Sequence, residues 1–253
     1  KGYAVRVGVN QTDTYSNEQF TFSNCHLKSQ CNDGDAVVVV RGTAQDATLN
    51  FANTTLEGTI KIGGAVSGQT EVVLNGVEYT NFAGNATDLE NALKAGGNSL
   101  LLGNVALTKW IPISNANFAL NGNGYAISQA SEYASSANSK IALFDITYGN
   151  VALSNIVFDG IQDCAIIRTV FAESSFENLV VKNGVHTLSD GQGLLRLIGK
   201  ATVKDCTFEG NSAGLGGAIV FSRTNGADEN SEGIMATIKD CKFITNQAVK
   251  TES

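Results

Sequence analysis

Along this chain, apolar residues recur in one short skeleton: an apolar position, a second three residues later, and a third two after that. It is sharpest at residues 201–211 (ATVKDCTFEGN) and 236–246 (ATIKDCKFITN), which are identical at seven of eleven positions and lie 35 residues apart. Weaker copies stand at Phe22/Cys25/Leu27, Phe51/Thr54/Leu56, Leu74/Val77/Tyr79, Leu153/Ile156/Phe158 and Phe176/Leu179/Val181. The stretch LNGNGYAI at residues 120–127 marks a further copy inside the longest gap. Spacing this uneven excludes a rigid repeat code. It suits repeats whose strands are fixed while their turns accept insertions.

Between the markers lie second apolar runs at residues 36–40, 60–62, 141–146, 165–170, 194–198 and 218–221. They are short, β-branched or aliphatic, and bounded by glycine or polar turn residues, which is the pattern of strands. Each period thus supplies strands without a helix between them. One such unit cannot bury its own apolar face, so units must stack, and stacking makes parallel sheets along one axis. The pattern predicts an all-β chain built as a right-handed parallel β-helix, a solenoid with one short capping α-helix. About eight to ten coils at a strand spacing of ~4.8 Å would make a rod on the order of 40–50 Å long. A β-sandwich is the competing fold; the near-identical 11-mers favour the solenoid.

The helix is expected at residues 87–95 (TDLENALKA), where Thr87 and Glu90 form a capping box, Leu89, Ala92 and Leu93 share a face, and Gly96–Gly97 stop it. A helix inside a stack covers strand edges that would otherwise lie open. It sets a boundary: residues 1–84 read as a β-rich segment of β-helix coils, and residues 85–253 as a β-helix with an N-terminal helix cap, the two forming either separate modules or one continuous solenoid.

Cys25, Cys206 and Cys241 share the middle slot of the skeleton and are expected to point inward as small apolar groups. Stacked thiols are expected for Cys206 and Cys241, with a disulfide between adjacent coils as the alternative. Cys25 and Cys31 are close enough in sequence to close a loop. Phe158, Phe208 and Phe243 read as an internal aromatic stack. At the coil corner, Asn211 and Asn246 are expected to bond backbone groups and form an amide ladder. Gly216 and Gly217 would let the chain re-enter a strand where a Cβ would clash.

Residues 208–219 read FEGNSAGLGGAI. An FxxN tetrapeptide followed shortly by GGAI resembles the repeat signature of the polymorphic outer membrane protein family, whose members are often autotransporter passengers. FxxN recurs at residues 243–246 and 82–85; GGAI occurs once, and the GGAV at residues 63–66 does not follow an FxxN. The resemblance covers residues 201–246. It implies a β-helical passenger with surface exposure and adhesive or antigenic roles, and it carries over no catalytic residue.

Composition narrows the partners. The net charge is −7 with a pI near 4.8 and no cluster of Lys or Arg, so the surface that neutralises nucleic-acid phosphates is missing. The longest apolar run, residues 36–40, is too short to cross a bilayer. Residues 3–9 already read as a strand, so any export signal is expected to lie outside this sequence. Abundant glycine (27) with a single proline fits many tight turns between well-filled strands.

A pectate-lyase-like site needs carboxylates around calcium and a basic residue to take a proton. Asp145, Asp159 and Asp163 with Arg168 are the candidate constellation, to be brought together by neighbouring coils. Asp33 and Asp35 offer a second calcium turn. Otherwise no metal or cofactor is expected, and His26 and His186 do not suggest a triad or a zinc site. The lone Trp110 is a candidate for stacking on sugar. The leading expectation is therefore an extracellular or cell-surface β-helical repeat protein, an adhesin or passenger-domain segment. It would present its sheet faces and the polar insertions at residues 129–140 and 222–233 to a host-cell protein, a matrix protein or a surface glycan. A polysaccharide-binding or polysaccharide-cleaving β-helix is the alternative, and a structural filament or spacer the second.

Overall fold

The computed structural model describes residues 4–7, 15–28, 35–39, 45–57, 59–62, 70–133, 142–186, 193–222 and 235–249. Within them the chain is mostly β, with one helix and no sheet closed into a barrel. Every strand pairing among the described residues is parallel except one.

The largest sheet has ten strands and contains two ladders, joined because Ala165–Glu177 and Gly193–Lys204 run through both. The first ladder sets Phe144 beside Ile167, Ile167 beside Leu195 and Leu195 beside Ile219. The second sets Leu120, Leu153, Phe176, Val203 and Ile238 side by side. A six-stranded sheet then aligns Ile127, Phe158, Val181, Phe208 and Phe243. The first and third slots of the sequence skeleton are therefore two columns on neighbouring sheets, and successive passes of the chain stack copy on copy.

The corner between those two sheets explains the skeleton. Asn155, Asn178, Asp205 and Asp240 all have positive φ, between 52° and 54°, a backbone that Asn and Asp tolerate better than most residues. The N–H of each of the first three donates to the next pass, to Glu177 O, Lys204 O and Lys239 O respectively. Asn178 Nδ2 also donates to Asn155 Oδ1 at 2.7 Å, and Asn155 Nδ2 to Asn121 Oδ1 at 3.1 Å. A sharp left-handed residue at a fixed place in each pass keeps the strands in register whatever the length of the other turns.

Two clusters of buried apolar side chains form the interior. The larger runs from Leu89 and Leu93 through Leu120, Phe158, Phe176 and Phe208 to Ala218; the smaller gathers Leu49, Phe51, Ile60, Val72, Tyr79 and Leu100. The helix spans Ala86–Ala95 and buries Leu89, Ala92 and Leu93 as expected, but its cap differs. Asn85 is the N-cap, its Oδ1 accepting from the Asp88 N–H at 3.0 Å, so the Thr87/Glu90 capping box does not form. Glu90 instead pairs with Lys94 and Lys109, which hold its carboxyl below the usual range. The FxxN at residues 82–85 is thus a helix cap.

Leu74/Val77/Tyr79 is a second departure. Val72–Leu74 and Val77–Tyr79 form the antiparallel exception, joined through Asn75 and Gly76, both with positive φ. Two left-handed residues in succession make the tight hairpin turn of an Asn-Gly pair, which reverses the chain where a single one would only turn a corner.

Candidate functional site

The sequence-predicted carboxylate cluster does not assemble. Asp145 and Arg168 are cross-strand partners that form a two-point ion pair, Nε to Oδ1 at 2.7 Å and Nη2 to Oδ2 at 2.9 Å. Asp159 sits on the six-stranded sheet, where Asn183 Nδ2 at 2.9 Å and then Lys182 Nζ at 3.1 Å hold its carboxyl below the usual range. Asp163 is an exposed corner with φ 59°, its N–H bonded to Val185 O. The physical reason is alternation and corner geometry: the three carboxylates fall on different faces of the stack. Among the described residues no three of His, Cys, Asp and Glu are placed to hold a metal ion. His26 is exposed, and His186 is buried with Nδ1 3.4 Å from Gly193 O. Trp110 is half-buried between the strands Val105–Leu107 and Ile111–Ser114. Cys31, Asp33, residues 63–66 and most of both polar insertions lie outside the described residues.

The repeat residues take backbone roles. Asn211 is buried and Asn246 half-buried, and their side-chain amides bond each other. A Cβ on Gly217 would collide with the backbone of Gln247, and one on Gly216 with the Ile219 carbonyl. Cys206 is buried and free, with burial pushing its thiol up to about 11; Cys241 and Cys25 are free and half-buried. Phe243 stacks on Phe208 at 5.0 Å with the rings 8° apart, yet it is 49% exposed. The expected three-ring stack is thus a pair with one open face: Val181 stands between Phe158 and Phe208, Phe158 meets Phe144 edge-on instead, and Met235–Lys239 and Lys242–Ile244 have a strand partner on one side only among the described residues.

What the structure does bring together is a trough on the outer face of the large sheet, about 550 Å³ in volume. Its floor is a column of small side chains in register across five strands: Ala119, Ala152, Ser175, Thr202 and Thr237. Two residues earlier on each strand stands a taller wall, Asn150, Glu173, Lys200 and Met235, extended by Asn117. Asn117 Oδ1 accepts both the N–H and the Nδ2 of Asn150, at 2.9 and 3.1 Å. Two residues beyond the floor, Glu177, Lys204 and Lys239 stand in register on the same strands, outside the residues that line the trough, and Lys204 bonds Glu177. Because strands alternate, small residues between long ones on one face make a channel that crosses the strands.

Beside the wall the corner carries two aromatic residues in left-handed conformation, Tyr148 with φ 59° and Phe171 with φ 55°. Their rings stack at 5.7 Å, 17° from parallel, and are 48% and 45% exposed. Phe171 sits at the bulge where register shifts between Val170 and Ala172. Neither residue was singled out by the sequence reading. Phe171 hides in the run AIIRTVFAESSFE, where it looks like one more strand residue; the usable signal was Tyr148 directly before Gly149.

Comparison with protein-family models, with curated proteins and with solved structures found no match to this chain.

Proposed function

We propose that this chain is a segment of right-handed parallel β-helix, exposed at a cell surface or secreted, that works as an adhesive contact surface and not as a catalyst. The stacked parallel ladders with left-handed Asn and Asp corners support the solenoid, since a parallel crossover within one sheet is right-handed almost without exception. The FxxN…GGAI resemblance at residues 208–219 supports the passenger-like setting.

The observation that carries the contact role is the trough. It is a preformed channel of about 550 Å³ whose floor stays low over five successive strands. Thr suits an exposed strand on its own account, but Ala is depleted in strands, and the run Ala119, Ala152, Ser175 keeps this face low. A partner that lies across the strands needs that low floor. The partner classes are a host-cell protein, a matrix protein or a surface glycan.

The test is binding of the purified chain to a panel of cells and to immobilised matrix, with the floor filled by Ala152→Arg and Thr202→Arg. Both positions face solvent, so the variants should fold, and binding should fall at least tenfold. Binding that survives both substitutions removes the trough from the contact. A chain that binds no surface at all makes the spacer the better reading.

A further inference from the structure

We infer that the trough and the Tyr148–Phe171 corner together form a binding site for a linear, uncharged polysaccharide laid across the strands. This deepens the contact reading above and rests on it.

The first argument is the misfit of the corner. The left-handed residues before the middle slot include Asn155, Asn178, Asp205 and Asp240, and the neighbour of Tyr148 on the preceding pass is Asn115, with φ 53°; among the described non-glycine residues of this backbone only Thr245, with φ 50°, joins the two aromatics in being neither Asn nor Asp. Bulky aromatic residues disfavour this backbone. Two of them in succession, each nearly half exposed, gain little burial in return. Strain held at exposed rings is the mark of a site, not of a core.

The second is shape. The two near-parallel rings form a strip that runs from strand to strand, the direction in which the trough runs, and each ring lies two residues before a wall residue, Asn150 or Glu173. A flat apolar ring meets the C–H face of a pyranose, while amides and hydroxyls meet its hydroxyl groups. Those polar groups are at hand: Asn117 and Asn150 bond each other through one oxygen, leaving Asn117 Nδ2 and Asn150 Oδ1 without a hydrogen bond among the described residues, and the hydroxyls of Ser175, Thr202 and Thr237 line the floor. The strand spacing of ~4.8 Å is close to the length of one sugar unit, so successive units meet equivalent positions on successive strands.

The third is charge. Glu173 faces Lys200 on the next strand, Glu177 bonds Lys204, and Lys239 lies against Asp240, so the charges beside the trough are offset locally and offer no strong field to a polyanion or a polycation. A peptide strand is the poorer occupant. It would need a free sheet edge, whereas the trough lies on a face whose backbone groups are already used in ladders.

The experiment is titration calorimetry with cellohexaose, laminarihexaose, xylohexaose and mannohexaose, with polygalacturonate and heparin as charged controls. Tyr148→Gly and Phe171→Gly delete the rings while supplying the residue that accepts a left-handed backbone. We expect at least one neutral hexasaccharide to bind independently of salt. Its affinity should fall about tenfold in each variant, as for an anchor in an interface, while the thermal midpoint holds or rises. Binding confined to the polyanions, or equal binding by both variants, overturns the inference. So does a thermal midpoint that falls while binding holds, which would assign the rings to folding. The contact reading is scored separately on the cell and matrix panel: surface binding without any bound neutral glycan defeats this inference and leaves that reading standing.

Discussion

The side chains of Asn211 and Asn246 bond each other across two passes of the chain: Asn211 Nδ2 donates to Asn246 Oδ1 at 2.8 Å, and the same oxygen accepts the Asn211 N–H at 3.2 Å. Asn211 treats the pass before it alike, taking the Gly184 N–H on Oδ1 and reaching Val181 O with Nδ2, both at 2.9 Å. Asn246 repeats the second contact on Phe208 O at 2.8 Å. Each Asn thus satisfies the backbone of the turn behind it.

The two asparagines should differ in cost. Asn211 is 1% exposed, so Asn211→Ala strands a buried N–H and a buried carbonyl, each worth ~1–3 kcal/mol. A loss of about 2–4 kcal/mol is expected in urea unfolding. Asn246→Ala, at a half-buried position where water can substitute, should cost under ~1 kcal/mol. Equal losses would show that the ladder, and not burial, sets the energy.

Cys206 and Cys241 occupy the place of Thr54. Thr54 Oγ1 donates to Ala52 O and Phe22 O; Cys206 Sγ donates to Lys204 O and Phe176 O, and Cys241 Sγ to Lys239 O and Val203 O. The slot therefore takes either a small side chain that donates to these carbonyls or a buried aliphatic one, as at Ile156 and Leu179, and a reading of cysteine as a plain apolar residue misses the first kind.

Those thiols predict a pH dependence. Burial pushes Cys206 up to about 11 and Cys164 up to about 12. A raised folded-state pKa means the unfolded chain releases its protons first. The stability involved is complete below the ordinary thiol value of ~8.5 and is lost as pH rises through 11. The urea midpoint should hold steady near neutrality and fall above about pH 9, by at most ~1.4 kcal/mol per pH unit for each thiol. Cys164→Ser with Cys206→Ser should flatten that fall; an unchanged slope would place the titration on other groups.

Much of the β architecture was legible because the strands carry it. The 11-mers at residues 201–211 and 236–246 do lie in register, and LNGNGYAI at residues 120–127 pairs as expected, Leu120 with Leu153 and Ile127 with Phe158. What the apolar skeleton left out was the polar residue inside it. Asn or Asp precedes the middle slot at Asn24, Asn53, Asn155, Asn178, Asp205 and Asp240, each with positive φ, and the copy with Asn75–Gly76 in that place is the one that folds back as a hairpin. The site was harder to read. A trough made by small residues two apart from large ones on five strands exists only once the register is known, and of the four residues proposed as a carboxylate site only Asp145 and Arg168 meet, as an ion pair between neighbouring strands.

Arg168 should prove structural. Its two bonds to Asp145, which is 9% exposed, leave a nearly buried carboxylate alone when the guanidinium is removed. Arg168→Ala should cost about 1–3 kcal/mol, scaled down because the arginine itself is partly open to water. Arg168→Lys should recover only part, since an ammonium cannot make the paired contact. Asp159→Ala, at an exposed ion pair, should change stability by less than ~1 kcal/mol. A large effect of Asp159→Ala would mean the carboxylate does more than bond Lys182 and Asn183.

Gly149 separates backbone conformation from close approach. Its φ is 97°, and a Cβ there would run into the Ala116 carbonyl oxygen of the preceding pass. Gly124 also has positive φ, 81°, but a Cβ there meets open space. Gly124→Ala should therefore cost only the left-handed penalty of ~1–2 kcal/mol. Gly149→Ala should add the overpacking term, for a total of about 2–5 kcal/mol in urea unfolding. Because Gly149 lies between Tyr148 and Asn150, a displaced pass at this point should also shift the ring and the trough wall together. If the two alanine variants cost the same, the passes are not in tight contact at this corner, and the left-handed backbone alone fixes the glycine.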